Sequence, residues 1–406
     1  MALKRRASPF VICLLTLLLF LPVCWGRGPV VCYAGEVQGV TNKTVTIGLM
    51  GDLTGPAADV WIPFAHGIKS FFKMVNYGRG VQGRKINYIL EDDRYSIPLA
   101  LSSFKKLVFK DKVFALQAAS GVGHTAAIIP LAEKQKIPTI AATGESRFFI
   151  PAQKYIFGPL PWYEDQAKLV VEFLFNDMKF TKPSIVLLYP DVGSGKDSRS
   201  AFRKLVKIYP VKKYEEVIFS LGGMDFTSEA LALRRSKPDM IYIHGHAPIV
   251  ISILKAAHRL GLSSTFVVAQ YACVDKSVET AGKLAEGLLG INCFGVWDDA
   301  TPGVNRLRKA SMAYNPNVQR RDANFFQGWF VGMLFYQGLN NAGRDLTREN
   351  YRKGLEAIKD LDTQGICGIV SFGPDDHKAI DYHRLYKADM EKRRFVPITG
   401  WRKPKE

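Results

Sequence analysis

From Thr44 onward the chain alternates between two kinds of segment, and that alternation restricts the fold more than any single motif. Runs such as VTIGLM, KINYIL, VFALQAA, IPTIAA, SIVLLYP, EEVIFS, MIYIHG and TFVVAQ are rich in Ile and Val and largely apolar on both faces. Strands of that kind belong in a parallel sheet covered on both sides. Between them lie stretches with helical spacing. In IPFAHGIKSFFKMVNYG, the residues Phe64, Ile68, Phe71, Phe72 and Val75 fall on one stripe. The rhythm predicts an α/β chain with doubly wound architecture.

The rhythm runs twice, over about residues 44–143 and again over about 163–295. The proline-bearing stretch YIFGPLPWYED (Tyr155–Asp165) separates the two runs. The expected fold is therefore two Rossmann-like lobes with parallel-rich sheets, joined by a hinge and separated by a cleft. DANFFQGWFVGMLFYQGLNNAG reads as a long helix that returns to the first lobe. A last strand near GIVSFG is expected in the second. The expected boundaries are 44–160 plus about 297–366 for lobe 1, and 161–296 plus about 367–400 for lobe 2.

The first 34 residues read as a secretory signal. Lys4, Arg5 and Arg6 precede the apolar stretch PFVICLLTLLLFLPVCW, which Pro22 breaks, and VCYAG offers a cleavage site after Ala34. Cys24 and Cys32 both follow Val rather than a small residue, so a lipid anchor is not expected. Cleavage would leave Cys273, Cys293 and Cys367, an odd number with no CxxC spacing. That pattern excludes a full disulfide framework and gives no support to a cysteine zinc site. The formal charge of +18 is scattered rather than gathered in a stripe. With export, it argues against a nucleic-acid partner.

Five segments in order carry a resemblance: VTIGLMGDLTGPAA, VNYGRGVQGRKINYILEDDRYSIP, AASGVGHTAAIIPLAEKQKIPTIAATGE, VLLYPDVGSGKDSRSAF and GGMDFTSEALALRRSKPDMIYIHG. Over about residues 44–395 the chain resembles the type I periplasmic solute-binding proteins of the branched-chain amino acid transporter class. The resemblance implies a periplasmic binding protein that feeds an ABC permease in the membrane. It implies a small-molecule ligand, no cofactor, no metal, no catalysis, and a monomer. A second reading keeps the fold and makes the chain a ligand-sensing receptor for a signalling partner.

Parallel α/β sheets bind ligands at the carboxyl ends of their strands, so each strand end is a candidate. After the first strand, Val60 holds the position where relatives place an aromatic on the ligand, and Trp61 is its neighbour. Ser120, Gly121 and Val122 open a helix whose free N–H groups suit a carboxylate, with the Ser120 hydroxyl beside them. Ala142, Thr143 and Gly144 match a stretch that contacts the ligand in relatives. Ser194 stands where relatives often carry Tyr. His246, at a strand end, is expected to face the cleft, with His244 behind it. Gln270 stands near the position of an acid that pairs with the ligand ammonium in relatives. Unless Asp275, Asp225 or Glu145 supplies the missing charge, a neutral residue there favours an amide or a carboxylate over an ordinary α-amino acid.

Three other motifs are set aside. YPDVGSGK is not a phosphate loop, since Pro190 replaces the first glycine and Asp197 the final hydroxyl. His244 and His246 share a strand face, but no third metal ligand is identifiable. No nucleophile elbow surrounds Ser194, because Val192 replaces the first glycine. The acids Asp92 and Asp93, after the second strand, are expected to cap the turn that follows rather than to act on a substrate.

Overall fold

The computed structural model describes residues 37–405 apart from 119 and 224. The signal-peptide reading of residues 1–34 lies outside the described residues. β1 (Thr44–Gly51) and β2 (Lys85–Asp92) flank α1 (Ala58–Tyr77) in sequence. α2 (Ile97–Lys105) runs into a π-helical turn and leads to β3 (Ala115–Ala118), α3 (Val122–Lys134), β4 (Thr139–Ala141) and β5 (Ile156–Phe157). These strands form one sheet in the order β2-β1-β3-β4-β5, with every pair parallel.

The second half repeats the plan. α4 (Tyr163–Asn176) precedes β6 (Ser184–Pro190), α5 (Gly193–Ile208), β7 (Lys213–Phe219), α6 (Thr227–Ser236) and β8 (Met240–Ile243). α7 (Ala247–Arg259), β9 (Thr265–Val268), α8 (Asp275–Ala281) and β10 (Leu289–Asn292) follow. The parallel part of this sheet runs β7-β6-β8-β9-β10. Numbered within its own half, each sheet has the order 2-1-3-4-5, so the doubly wound plan occurs twice. The fold is α/β with two lobes, one around each sheet.

The rest of the chain is helical at first. α9 (Pro302–Tyr314), α10 (Ala323–Ala342) and α11 (Arg348–Glu356) contribute buried side chains to the core around β1 and α1. α10 is apolar nearly all round because α1 and α11 pack against it and its side chains enter the core around β1. It crosses α1 with almost no separation. A Cβ on Gly67 would lie 2.1 Å from the Phe325 carbonyl oxygen, and one on Gly328 would lie 1.9 Å from that of Phe64. Glycine at both positions lets the two backbones touch.

The expected last strand near GIVSFG needs correction. Val370 makes only isolated bridges, to Leu361 and Ile380. Val370, Phe372 and Ile380 pack in the core shared by β1, α1 and α10, not against the second sheet. The chain joins the second sheet later, as the antiparallel hairpin β11 (Arg384–Asp389) and β12 (Arg394–Pro397) beyond β10. It therefore passes between the two sheets three times: after β5, after β10 and before β11.

Candidate functional site

In a doubly wound sheet the strand order reverses beside its first strand, and the loops there diverge to leave a crevice. Here the reversals lie between β1 and β3 and between β6 and β8. Loops from both places wall one cavity. Val60 and Trp61 follow β1, Ser120, Gly121 and Val122 follow β3, and Ala142 and Thr143 follow β4. Pro190, Val192 and Ser194 face them from the end of β6, and His244, Gly245 and His246 from the end of β8. Tyr95, Tyr163, Leu221 and Tyr271 complete the wall.

The two sets of loops touch. A Cβ added to Gly193, in the first turn of α5, would lie 2.4 Å from Val122 Cγ1 at the start of α3. His246 Nδ1 stands 3.9 Å from the Asp59 carboxylate on α1.

Three helices, α3, α5 and α7, begin at the cavity wall, at Gly121, Val192 and His246, and no side chain caps any of them. The first N–H groups of a helix have no intrahelical acceptor, and the dipole makes that end positive. Beside them, Thr143 is buried, and its hydroxyl approaches the Tyr163 phenol without a hydrogen bond of ordinary geometry. The wall thus presents donors that lack protein partners.

The acid pair after β2 builds this wall. β1 and β2 pair in register to Gly51 and Asp92, which sets the two strand ends side by side. Asp92 accepts the N–H groups of Leu53 (2.9 Å) and Arg94 (3.0 Å) and the Thr54 hydroxyl (2.7 Å). These donors hold its carboxyl below the usual range, against a desolvation that acts the other way. Asp93 accepts the N–H of Tyr95 at 3.1 Å and that of Ser120 at 3.2 Å, and the Ser120 hydroxyl also donates to it. Burial raises the Asp93 pKa although these bonds and His124 oppose it. The bonds hold Arg94 and Tyr95 at φ 49° and 55°, a left-handed pair that non-glycine residues seldom adopt. That turn aims Tyr95 at the cavity. Its ring lies 4.8 Å from that of His124, and a Cβ on Gly121 would meet its hydroxyl at 2.9 Å.

The histidines are neutral walls. His244 is buried, shares a 2.8 Å hydrogen bond with Ser198 through Nδ1, and meets the edge of Tyr163 at 5.1 Å. Burial pushes its pKa down to about 3, with His246 adding to the effect. Burial also lowers that of His246, against the pull of Asp59 and Asp52. Burial raises Tyr95 to about 12, so the phenol stays protonated.

Of the residues expected at the site, Val60, Trp61, Ser120, Gly121, Val122, Ala142, Thr143, Ser194 and His246 line the cavity. Three expectations need correction. Ser120 gives its hydroxyl and N–H to Asp93, because that buried carboxylate requires donors, so neither is free for a ligand. Gly144 is outside the lining. Its carbonyl accepts from Tyr163 N at 2.9 Å, and its α-carbon packs on the Pro161 carbonyl. Gln270 is outside it too. Its amide oxygen accepts from Gln166 at 3.1 Å, and its neighbour Tyr271 takes the wall position. Trp61 serves the wall twice, since its indole N–H also donates to the Ser120 carbonyl at 3.0 Å. Tyr95, Tyr163 and Tyr271 were missed. Each lies within a turn or helix start, where strand alternation no longer gives the facing direction.

A cavity walled by strand-end loops of two doubly wound lobes defines a solute-binding protein. The family model described as periplasmic binding protein matches residues 44–393, and the chain belongs to that family. It is 23% identical to a Leu/Ile/Val-binding protein of Rhizobium johnstonii over 358 residues, 87% of this chain and 94% of that one. It is 23% identical to an amino acid binding protein of Pseudomonas aeruginosa over 63% of this chain and 69% of that one. Its fold is similar to a branched-chain amino acid ABC transporter structure from Thermus thermophilus with bound valine. There the TM-score is 0.82 at 22% identity, over 90% of this chain and 97% of that one. A fatty acid ABC transporter substrate-binding protein from Thermomonospora curvata has a TM-score of 0.81 at 20% identity, over 91% and 94%.

Among the described residues no group of three or more His, Cys, Asp or Glu could hold a metal ion. No described helix is long and apolar enough to cross a membrane.

Proposed function

We propose that this chain is the extracytoplasmic solute-binding component of an ABC importer. It captures a small carboxylate-bearing, amino-acid-like or amide solute by closing two lobes around it. One observation carries the reading: a single cavity is walled by loops from both sheets, with uncapped helix starts on both sides. A solute that bridges the two walls has more contacts in the closed form than in the open one, and that difference shifts the population. The names of the relatives, Leu/Ile/Val-binding and amino acid binding, agree with a solute of this size.

In this reading the division expected at 366/367 moves past Ile380, which packs in the first core: residues 44–160 plus about 297–380 form one lobe, and 161–296 plus about 384–400 the other. The three passages between the sheets form the hinge. The anionic end of the solute lies at the first turn of α3 and the Thr143 hydroxyl, and the aromatic walls of Trp61, Tyr95 and Tyr271 cover its body. Residues 1–34 direct export. The protein is monomeric, and a membrane permease recognises its closed form.

The test is small-angle scattering on refolded protein, alone and with a panel of carboxylates, amides and amino acids, followed by mass spectrometry of each added solute. A bound solute contracts the particle and is recovered unchanged. Contraction with none of the panel removes the hinge reading, and a chemically altered solute removes the binding-only role.

A further inference from the structure

Resting on the solute-binding reading above, we propose that the solute is a monocarboxylate with no amino group and an otherwise uncharged, largely apolar body. Among the described residues, the cavity wall contains no Asp, Glu, Lys or Arg. Its polar groups are hydroxyls, imidazoles and helix N–H groups. An anion finds the uncapped starts of α3 and α5 and the unpartnered Thr143 hydroxyl, with fewer N–H donors at α7, whose second residue is Pro248. An ammonium finds nothing of opposite charge on the wall.

The nearby carboxylates stand behind the wall. Asp93 is occupied by the N–H groups of Tyr95 and Ser120 and by the Ser120 hydroxyl. Glu145 gives one oxygen to Arg147; its second, enclosed near Gly193, has no hydrogen-bond partner, but Glu145 does not line the cavity. Asp59 is the strongest rival, because neither of its oxygens has a hydrogen-bond partner. It does not line the cavity, however. His246 does, and His246 Nδ1 is 3.9 Å from the Asp59 carboxylate. A cation in this cavity would be stripped of water without a paired charge, which is heavily penalised. An uncharged body fits the remainder of the wall, where Trp61, Tyr95, Tyr163 and Tyr271 present rings and Val60, Val122 and Leu221 present aliphatic groups.

The experiment compares matched pairs by titration calorimetry on protein that has been unfolded and refolded to strip carried solute. The pairs are L-leucine with 4-methylpentanoate and L-phenylalanine with 3-phenylpropanoate, with 3-phenylpropanamide as the uncharged control. The carboxylate without the amine is expected to bind at least about tenfold tighter than its amino acid, and also tighter than the amide. An amino acid that binds as well as its partner overturns the proposal and leaves the solute-binding reading intact. If that amino acid then loses its affinity in Asp59→Asn, Asp59 is the ammonium's partner. An amide equal to the carboxylate overturns the anionic part. Binding by no member of either pair overturns the proposal, and if the scattering panel also fails, the site reading falls with it.

Discussion

Gly193→Ala should separate closing from folding. Gly193 is the first residue of α5 and is not in the left-handed region, so its backbone accepts alanine without strain. The added methyl's three nearest neighbours all lie on the opposite wall. It would lie 2.4 Å from Val122 Cγ1, 2.8 Å from Val122 Cβ and 3.5 Å from Glu145 Oε2. Ordinary carbon contacts lie at about 3.5–4.0 Å, so the tips must part by about 1 Å or Val122 must leave its rotamer. Overpacking of this degree costs about 1–3 kcal/mol, and here the cost falls on the closed form alone. Affinity for the tightest-binding carboxylate should therefore drop about 5- to 150-fold. The ligand-free melting temperature should hold or rise slightly, since alanine is the better helix former. Titration calorimetry and thermal melting read the two quantities. A Val122→Ala partner variant removes the Cγ1 clash but leaves Cβ at 2.8 Å, so it should restore part of the loss, as a double-mutant cycle would show. Unchanged affinity, or a melting temperature that falls in step with it, would refute the view that this contact forms only on closing.

Gly328→Ala should act on the fold instead. Its methyl would meet the Phe64 carbonyl at 1.9 Å, and neither backbone can yield, so a loss of about 3 kcal/mol is expected in chemical denaturation. Asp93→Asn keeps the shape but cannot accept from all three donors, so about 2 kcal/mol of stability should be lost along with weaker ligand binding. Asp197, on α5, has its pKa raised to about 7 by burial first, then by Glu145 across the seam and by Glu164, while Arg147 and Lys204 oppose the shift. A carboxyl raised in the closed form favours that form as pH falls, between its ordinary value near 4 and about 7. Only the part of the shift that comes from across the seam is gained on closing, so binding should tighten from pH 8 to pH 5.5 with uptake of less than about half a proton at pH 7. Calorimetry in two buffers counts that proton, and uptake that persists unchanged in Asp197→Asn would refute the assignment.

The parts of the fold that were legible are those where burial on both faces leaves its mark on composition. SIVLLYP is buried from end to end and reads as a central strand for that reason. β11 and β12 were missed because an antiparallel edge hairpin needs no such run, and RLYKAD has charged residues in it. The short strand β5 has only two residues, Ile156 and Phe157, too few to show any period. GIVSFG looked like a strand because a core segment without regular structure needs the same apolar residues.

The site was legible as far as topology determines it. In a doubly wound sheet of order 2-1-3-4-5 the loops after the first, third and fourth strands border the crevice, and Trp61, Val122, Thr143 and His246 line the cavity for that reason. What topology does not determine is the direction of a side chain after the strand has ended. Gln270 lies two residues beyond β9, in a turn, and it points to Gln166 while Tyr271 faces the cavity. The same blindness hid the purpose of the acid pair. Asp92 and Asp93 read correctly as turn caps, but what the turn accomplishes depends on two consecutive left-handed residues, Arg94 and Tyr95, that no propensity predicts. The carboxylates stabilise a conformation the chain would otherwise avoid, and that conformation brings the Tyr95 ring to the wall. The acids thus shape the solute's surroundings through backbone N–H groups, and the cavity itself can remain free of charge.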